Sequence, residues 1–219
     1  MISLHPTQQQ LHDFVDGNSV PAMALVVSAH VDMCPECQMH VAAMQESASE
    51  EAFKAEASSP EFSSMLANIT QLPEAERIIT QPKPAHIELE GRTFNLPRPL
   101  RRYVSKTGNW SHLLGKVWQA PIDLGPIGKA NFIYMEKGGR VPEHTHRGNE
   151  LTLVVDGEFS DGIANYDSGD FITMNSENTH TPFSEADEGC LVFTIVDQPL
   201  HFTSGIARLL NPFSHLFFK

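Results

Sequence analysis

The chain has 219 residues, enough for one large domain or two small ones, and 41% of them are hydrophobic and 19% charged. That balance supports a folded core and excludes both a disordered polyelectrolyte and a membrane-embedded chain. The formal charge of −12 is concentrated at the front: residues 1–75 carry ten acids against one Lys, net −9, and the remainder seventeen acids against fourteen bases, net −3. An acidic front half repels nucleic acid and suits either a solvated surface or a basic protein partner. The longest apolar run, Pro21 to Val31, is interrupted by Ser28 and His30 and falls far short of the ~20 residues of a spanning helix. The first cation is Lys54, which leaves no basic secretory n-region, so a cytoplasmic protein without membrane contact is expected.

The first seventy residues carry helix signals. Thr7 and Gln10 make a capping box ahead of Leu11, Phe14 and Val15, and Gly17 ends that helix. A second helix starts near Pro21 and runs through Ala24, Leu25, Ser28 and His30. Pro35 breaks a helix interior but suits a first turn, so Cys34 becomes the N-cap of a third helix reaching about Glu50. A fourth begins at Ser59-Pro60-Glu61, where Phe62, Met65, Leu66 and Ile69 recur at i, i+3, i+4 and i+7. That stripe reads equally as ordinary core or as a docking face.

From about Leu72 to Pro99 the periodicity lapses among Pro73, Pro82, Pro84, Pro97 and Pro99, and the expected division is a helical domain over 1–75, a linker over 76–99 and a second domain over 100–219. Arg98, Arg101 and Arg102 are too few for a nucleic-acid patch and read as a solvated edge. Beyond Tyr103 come short strands: Lys116 to Ala120, Ala130 to Glu136, Leu151 to Val155, Asp170 to Met174 and Leu191 to Val196. Turns bound them at Gly125 to Gly128, Gly138-Gly139 and Asp167-Ser168-Gly169, the pattern of a sandwich or barrel. The expected fold class is therefore α+β, a small four-helix unit followed by an all-β barrel. Cys190 reads as a buried core thiol, Trp110 and Trp118 as core or rim aromatics, and Phe213, Phe217 and Phe218 as packing the tail onto the barrel.

Two clusters of metal-ligand side chains stand out. His30, Cys34 and Cys37 are spaced four and three apart across the junction of the second and third helices, which places an imidazole and two sulfurs around one point. Zinc takes four such ligands in a tetrahedron, and two thiolates neutralise its charge. Both cysteines also sit at a helix start, where the dipole favours the thiolate. A thioredoxin-like redox pair is the competing reading, but it wants a parallel-sheet context that this segment lacks. His5, His12 and His40 are candidates for the fourth ligand, and spacing alone does not choose among them.

Here a resemblance helps. His5, a gap of twenty-four residues, then His30-x3-Cys34-x2-Cys37 in an acidic four-helix segment resembles the zinc-binding anti-sigma domain. In that family the histidine near the N-terminus is the fourth ligand, which implies a Zn2+ site of His5, His30, Cys34 and Cys37.

The second cluster lies in Gly138-Gly139-Arg140-Val141-Pro142-Glu143-His144-Thr145-His146-Arg147-Gly148-Asn149-Glu150, ending at Gly157, which resembles the first cupin motif, G-x5-H-x-H-x3-E-x6-G, at every fixed position. His144 and His146 are two apart and so share one face of a strand, with Glu150 returning from the adjoining turn. The second cupin motif is matched more loosely by Gly169 to His180: Asn175 replaces the usual Pro, Glu177 the usual Gly and Ser184 the last Asn, while His180 keeps its place. Three imidazoles and a carboxylate suit zinc, iron, manganese or nickel, with zinc the ion expected here.

The order of the two motif sets resembles the ChrR-type anti-sigma factors over essentially the whole chain. The resemblance implies a non-enzyme. Its N-terminal domain would bind and inhibit an extracytoplasmic-function sigma factor, and its jelly-roll cupin domain would release that factor on oxidative stress of the singlet-oxygen type. On this reading Phe62, Met65, Leu66 and Ile69 grip a groove of the sigma factor, and no nucleic acid is bound directly. The competing class is a metal-dependent cupin enzyme, an oxygenase or isomerase with an accessory zinc domain.

Overall fold

Thr7 accepts from the Gln10 backbone N–H at 3.2 Å and the Gln10 side chain answers to the Thr7 N–H at 2.7 Å, so the capping box opens α1 (Gln8–Val15). The computed structural model describes residues 2–54, 60–73, 86–205, 207–209 and 211–212. Helices α2 (Pro21–Met33) and α3 (Pro35–Ala52) meet at Cys34, which ends one and caps the other: its Sγ accepts from the Cys37 N–H. Helix α4 (Pro60–Thr70) follows. The first three helices pack on one another, and α2 buries Leu25, Val26, Val27, Ala29 and His30. The described side chains of α4 are all exposed, so its stripe is not core in this structure: Phe62, Met65, Leu66 and Ile69 are between 52% and 61% exposed.

Residues 86–99, read above as linker, are folded. Strands β1 (His86–Leu89) and β2 (Arg92–Asn95) form an antiparallel hairpin, and α5 (Arg98–Arg101) follows with Pro99 in its first turn. Four-residue strands are too short to show a period against a background of prolines, yet their alternation buries Ile87, Leu89 and Phe94. Arg98 is exposed but pairs with Asp32 of α2, and the Arg101 guanidinium donates to the Leu96 carbonyl at 2.9 Å. This edge therefore clamps α5 to α2. Phe213, Phe217 and Phe218 lie outside the described residues.

Among the described residues beyond α5, apart from two short 3-10 turns at Val104–Lys106 and Gly125–Ile127, the regular elements are strands: β3 (Ser111–Leu114), β4 (Val117–Asp123), β5 (Lys129–Met135), β6 (Gly139–Arg140), β7 (His144–Thr145) and β8 (Glu150–Ser160). Then come β9 (Asn165–Asp167), β10 (Phe171–Met174), β11 (Thr179–His180), β12 (Phe183–Ser184), β13 (Cys190–Val196) and β14 (His201–Phe202). The large antiparallel sheet runs β3-β4-β5-β13-β8, with β9, β10 and β12 also paired to β8; a second sheet, β11-β7-β14, faces it and nearly closes a barrel. Gly157 shows how tightly the strands turn: at φ +78, a Cβ would lie 2.0 Å from the Gly189 carbonyl oxygen.

The large sheet separates two apolar clusters. Leu153, Val155, Leu191, Phe193 and Phe171 face the helices and the β1–β2 hairpin in a core continuous with Leu11, Val26 and Cys37. Val154, Val192, Cys190, Met135 and Ile172 point the other way, into the barrel. Burial on both faces explains why β13 reads as an uninterrupted apolar run, and it places Cys190 fully inside. Trp110 and Trp118 are half-buried at the rim, their indoles donating to the Glu88 carbonyl and the Glu136 carboxylate.

Phe94 ties the hairpin to the sheet through Tyr134, with ring centroids 5.2 Å apart. Phe94→Ala is expected to destabilise the protein by about 3 kcal/mol in chemical denaturation. A loss below about 0.5 kcal/mol would mean the hairpin contributes no more than a linker.

Candidate metal centres

His5, His30, Cys34 and Cys37 converge, each offering an atom within 4.8 Å of the others. The Cys34 and Cys37 sulfurs lie 3.4 and 3.5 Å from His5 Nδ1, and Cys37 Sγ lies 3.3 Å from His30 Nε2. A tetrahedron with Zn–S of about 2.3 Å and Zn–N of about 2.0 Å separates S from N by about 3.5 Å, so these donors fit zinc. His12 and His40 stand outside the cluster, and His40 instead meets the Gln8 amide at 3.2 Å. Burial, with Cys34 beside it, pushes the Cys37 thiol up to about 12, outweighing the helix start that the sequence suggested would favour a thiolate. A divalent cation reverses that balance, because a coordinated thiol gives up its proton.

Two of these residues are oriented by the barrel. His30 Nδ1 lies 2.7 Å from the carbonyl oxygen of Gly169, which can only accept, so Nδ1 holds the proton and Nε2 presents its lone pair to the sulfurs. Burial pushes the His30 pKa down, keeping the ring neutral. Gly169 holds φ at +97, and Ile2 packs where its side chain would be. Asp170, fully buried, accepts from the Ser3 and Leu4 N–H groups at 2.7 and 2.9 Å, and the Phe171 N–H donates to the Leu4 carbonyl at 2.9 Å. Leu4 is thus fixed to β10, and His5 follows it. The sequence placed Gly169 and Asp170 in a turn and a strand without giving them this work, since an outer partner acting through a carbonyl leaves no side-chain signal.

The second cluster also assembles: His144, His146, Glu150 and His180 lie within 4.8 Å of one another. His144 opens the two-residue β7, His146 follows just past its end, His180 pairs opposite His144, and Glu150 begins β8, whereas the sequence suggested a turn. The Nε2 atoms of His144 and His146 lie 2.9 and 3.0 Å from that of His180, and His146 Nε2 is 2.9 Å from a Glu150 oxygen. Ligands of one ion at about 2.1 Å stand about 3.0 to 3.4 Å apart, so the donors fit a shared cation. The His144 Nδ1–H donates to the Pro142 carbonyl at 2.8 Å, leaving Nε2 as the free donor. The other Glu150 oxygen accepts from Thr152 and Thr194 at 2.8 and 3.0 Å, two partners no motif named. Burial raises the Glu150 pKa, but the His146 contact and the neighbouring imidazoles hold it down to about 2. The cluster closes one side of a cavity of about 60 Å³ walled by Ile133, Met135, Val141, Phe159, Ile172 and Val192 among others.

A helical metal-binding module docked on the outer face of a cupin barrel that carries its own ligand cluster is thus the class this structure defines. The ChrR cupin-like domain model matches residues 105–199, and a putative zinc-finger model matches residues 6–38. Over 215 residues the chain is 32% identical to the anti-sigma-E factor ChrR of Cereibacter sphaeroides, covering 95% of this chain and 96% of that one. The crystal structure of Rhodobacter sphaeroides SigE in complex with the anti-sigma ChrR superposes with a TM-score of 0.67 at 27% identity, over 90% of this chain and 100% of the matched chain. The chain belongs to the ChrR family of anti-sigma factors. The zinc-finger match and the His/Cys cluster both point to zinc in the N-terminal region. No described helix is long and apolar enough to cross a membrane.

Burial lowers the His144 pKa from 6.5 to about 4, with His180 adding to the effect, and burial also lowers His180. A group whose folded pKa is depressed stabilises the fold fully above its unfolded value and loses that contribution as pH falls through the folded one. Metal-stripped protein should therefore lose stability between pH 6.5 and about 4, and His144→Asn should flatten the decline. Thermal midpoints across that range check this; a flat profile in the parent protein would contradict it.

Proposed function

We propose that this protein is an anti-sigma factor that holds an extracytoplasmic-function sigma factor inactive in the cytoplasm through residues 1–75 and releases it when the barrel registers an oxidative signal of the singlet-oxygen type. The observation that carries this reading is the exposed stripe of Phe62, Met65, Leu66 and Ile69 on a helix of an acidic segment, which follows in sequence the His/Cys cluster at the junction of α2 and α3. An amphipathic helix with i, i+3, i+4, i+7 anchors suits a groove on a partner. The relatives named above, an anti-sigma-E factor and a chain in complex with SigE, support the partner class.

In this reading His5, His30, Cys34 and Cys37 hold Zn2+, while His144, His146, Glu150 and His180 hold a divalent metal, with zinc the expected ion. Bound there, zinc supplies crosslinking between helices, and the barrel ion supplies a Lewis-acidic coordination site. Coupling between them runs along β10. Ile172 and Met174 line the barrel cavity, while Phe171 on the opposite face meets the His30 ring at 6.1 Å and binds Leu4. A displacement of β10 thus reaches both His5 and His30. A cupin enzyme is the competing reading; beyond the ligand cluster, however, the described cavity lining offers only Thr152 and Thr194 as polar side chains, and both are engaged with Glu150.

Three variants test the proposal, using the full chain co-expressed with an extracytoplasmic-function sigma factor. Leu66→Asp should weaken sigma binding by about 30-fold or more, the scale of a central anchor, and Cys34→Ala should give constitutive transcription. Full repression by both variants would overturn the reading. His146→Ala should keep basal inhibition and lose barrel metal and the response to singlet oxygen; loss of inhibition in that variant would make the barrel part of the grip.

A further inference from the structure

We propose that the barrel cavity is a binding site for a short-chain monocarboxylate, whose carboxylate meets the ion held by His144, His146, Glu150 and His180 and whose apolar tail fills the space behind it. The inference rests on the metal reading of that cluster and adds the ligand class.

Charge makes the first argument. An imidazole that offers Nε2 to a cation is neutral, so three of them and one carboxylate leave a divalent ion at net +1. That charge faces a cavity whose remaining described polar side chains, Thr152 and Thr194, are already spent on Glu150. A further buried carboxylate, Asp161, lies 3.9 Å from the outer nitrogen of His180 and outside the cavity lining, and its oxygens accept from Tyr166 and from the Ile163 and Ala164 N–H groups. A buried charge is best tolerated when it is paired directly, and one compact monoanion on the cavity side of the ion does that.

Shape makes the second. Ile133, Met135, Val141, Phe159, Ile172 and Val192 offer no hydrogen bonds, and water is held poorly where it lacks two or more polar partners. A ligand with one charged end and an apolar body satisfies both halves of the site. The cavity of about 60 Å³ is equivalent to about four to six waters at ~10–15 Å³ each, which limits the ligand to roughly that many non-hydrogen atoms. Butyrate is of that size, with two oxygens to reach the ion and three carbons beyond the carboxylate.

The site sits where occupancy would be felt. Ile172 and Met174 form part of its wall; the same strand carries Phe171, and Asp170 immediately precedes it, the two holding Ser3 and Leu4. A carboxylate in the barrel thus presses on the strand that positions His5 and His30.

The test uses the full-length protein with its metal content measured by elemental analysis, titrated with sodium butyrate by calorimetry. Butyrate should bind at one site per chain, while n-butanol of the same length, lacking the charge, and octanoate, too long for the cavity, should each bind at least about tenfold more weakly. Val192→Phe fills the cavity and should abolish butyrate binding at unchanged metal content, with Val141→Leu as the milder filling variant. Equal binding of n-butanol, or no butyrate binding by a chain whose barrel holds its metal, would overturn the proposal and leave the metal reading standing. A barrel that takes up no metal would overturn both.

Discussion

The hydrogen bond from His30 to the Gly169 carbonyl is the contact on which the rest of this structure turns. It joins a side chain whose opposite nitrogen faces two cysteine sulfurs to the turn that begins the strand lining the barrel cavity. An imidazole that donates from one nitrogen is fixed in tautomer and direction at the other, so the barrel sets the donor geometry of the helical cluster. Asp170 repeats the device for the N-terminal segment by holding Ser3 and Leu4, and with them His5. Half of the His/Cys cluster is thus oriented by residues more than 130 positions away in the chain.

This arrangement explains why an 18-residue helix and two shorter ones pack without a large core of their own. Helix α1 buries only Leu11, and α3 buries only Cys37 and Val41. Their stability comes from α2, whose apolar residues are covered by the other helices on one side and the barrel sheet on the other. A helix unit with so little interior of its own is poised to respond when its supports move, and the stripe on α4 is the surface that the proposed function assigns to the partner.

Much of this was legible in the sequence. The capping box, Pro21, Pro35 and Gly17 located the first three helices, and the two ligand sets came from spacing and family resemblance. The structure then brought together the eight residues so named. What the sequence hid has specific causes. The β1–β2 hairpin is built from four-residue strands among prolines, where no period can develop. Several barrel strands, β6, β7, β11, β12 and β14, are two residues long, and Glu150 sits at a strand start because β8 continues as far as the motif that defines it. The docking of helices on the sheet was hidden because its key acceptor is a backbone carbonyl and its key carboxylate, Asp170, sits within a run that already read as strand.

The central claim, that the barrel orients the helical metal cluster, is tested most directly by zinc affinity at His5, His30, Cys34 and Cys37 in Asp170→Ala, measured by chelator competition on the full chain with barrel metal content monitored in parallel. Loss of the one oxygen that accepts from both the Ser3 and Leu4 N–H groups should weaken zinc binding at the helical cluster by roughly 10- to 100-fold, as for other outer partners of metal ligands, without removing metal from the barrel. An affinity unchanged from the parent protein would contradict the claim and make the two clusters independent.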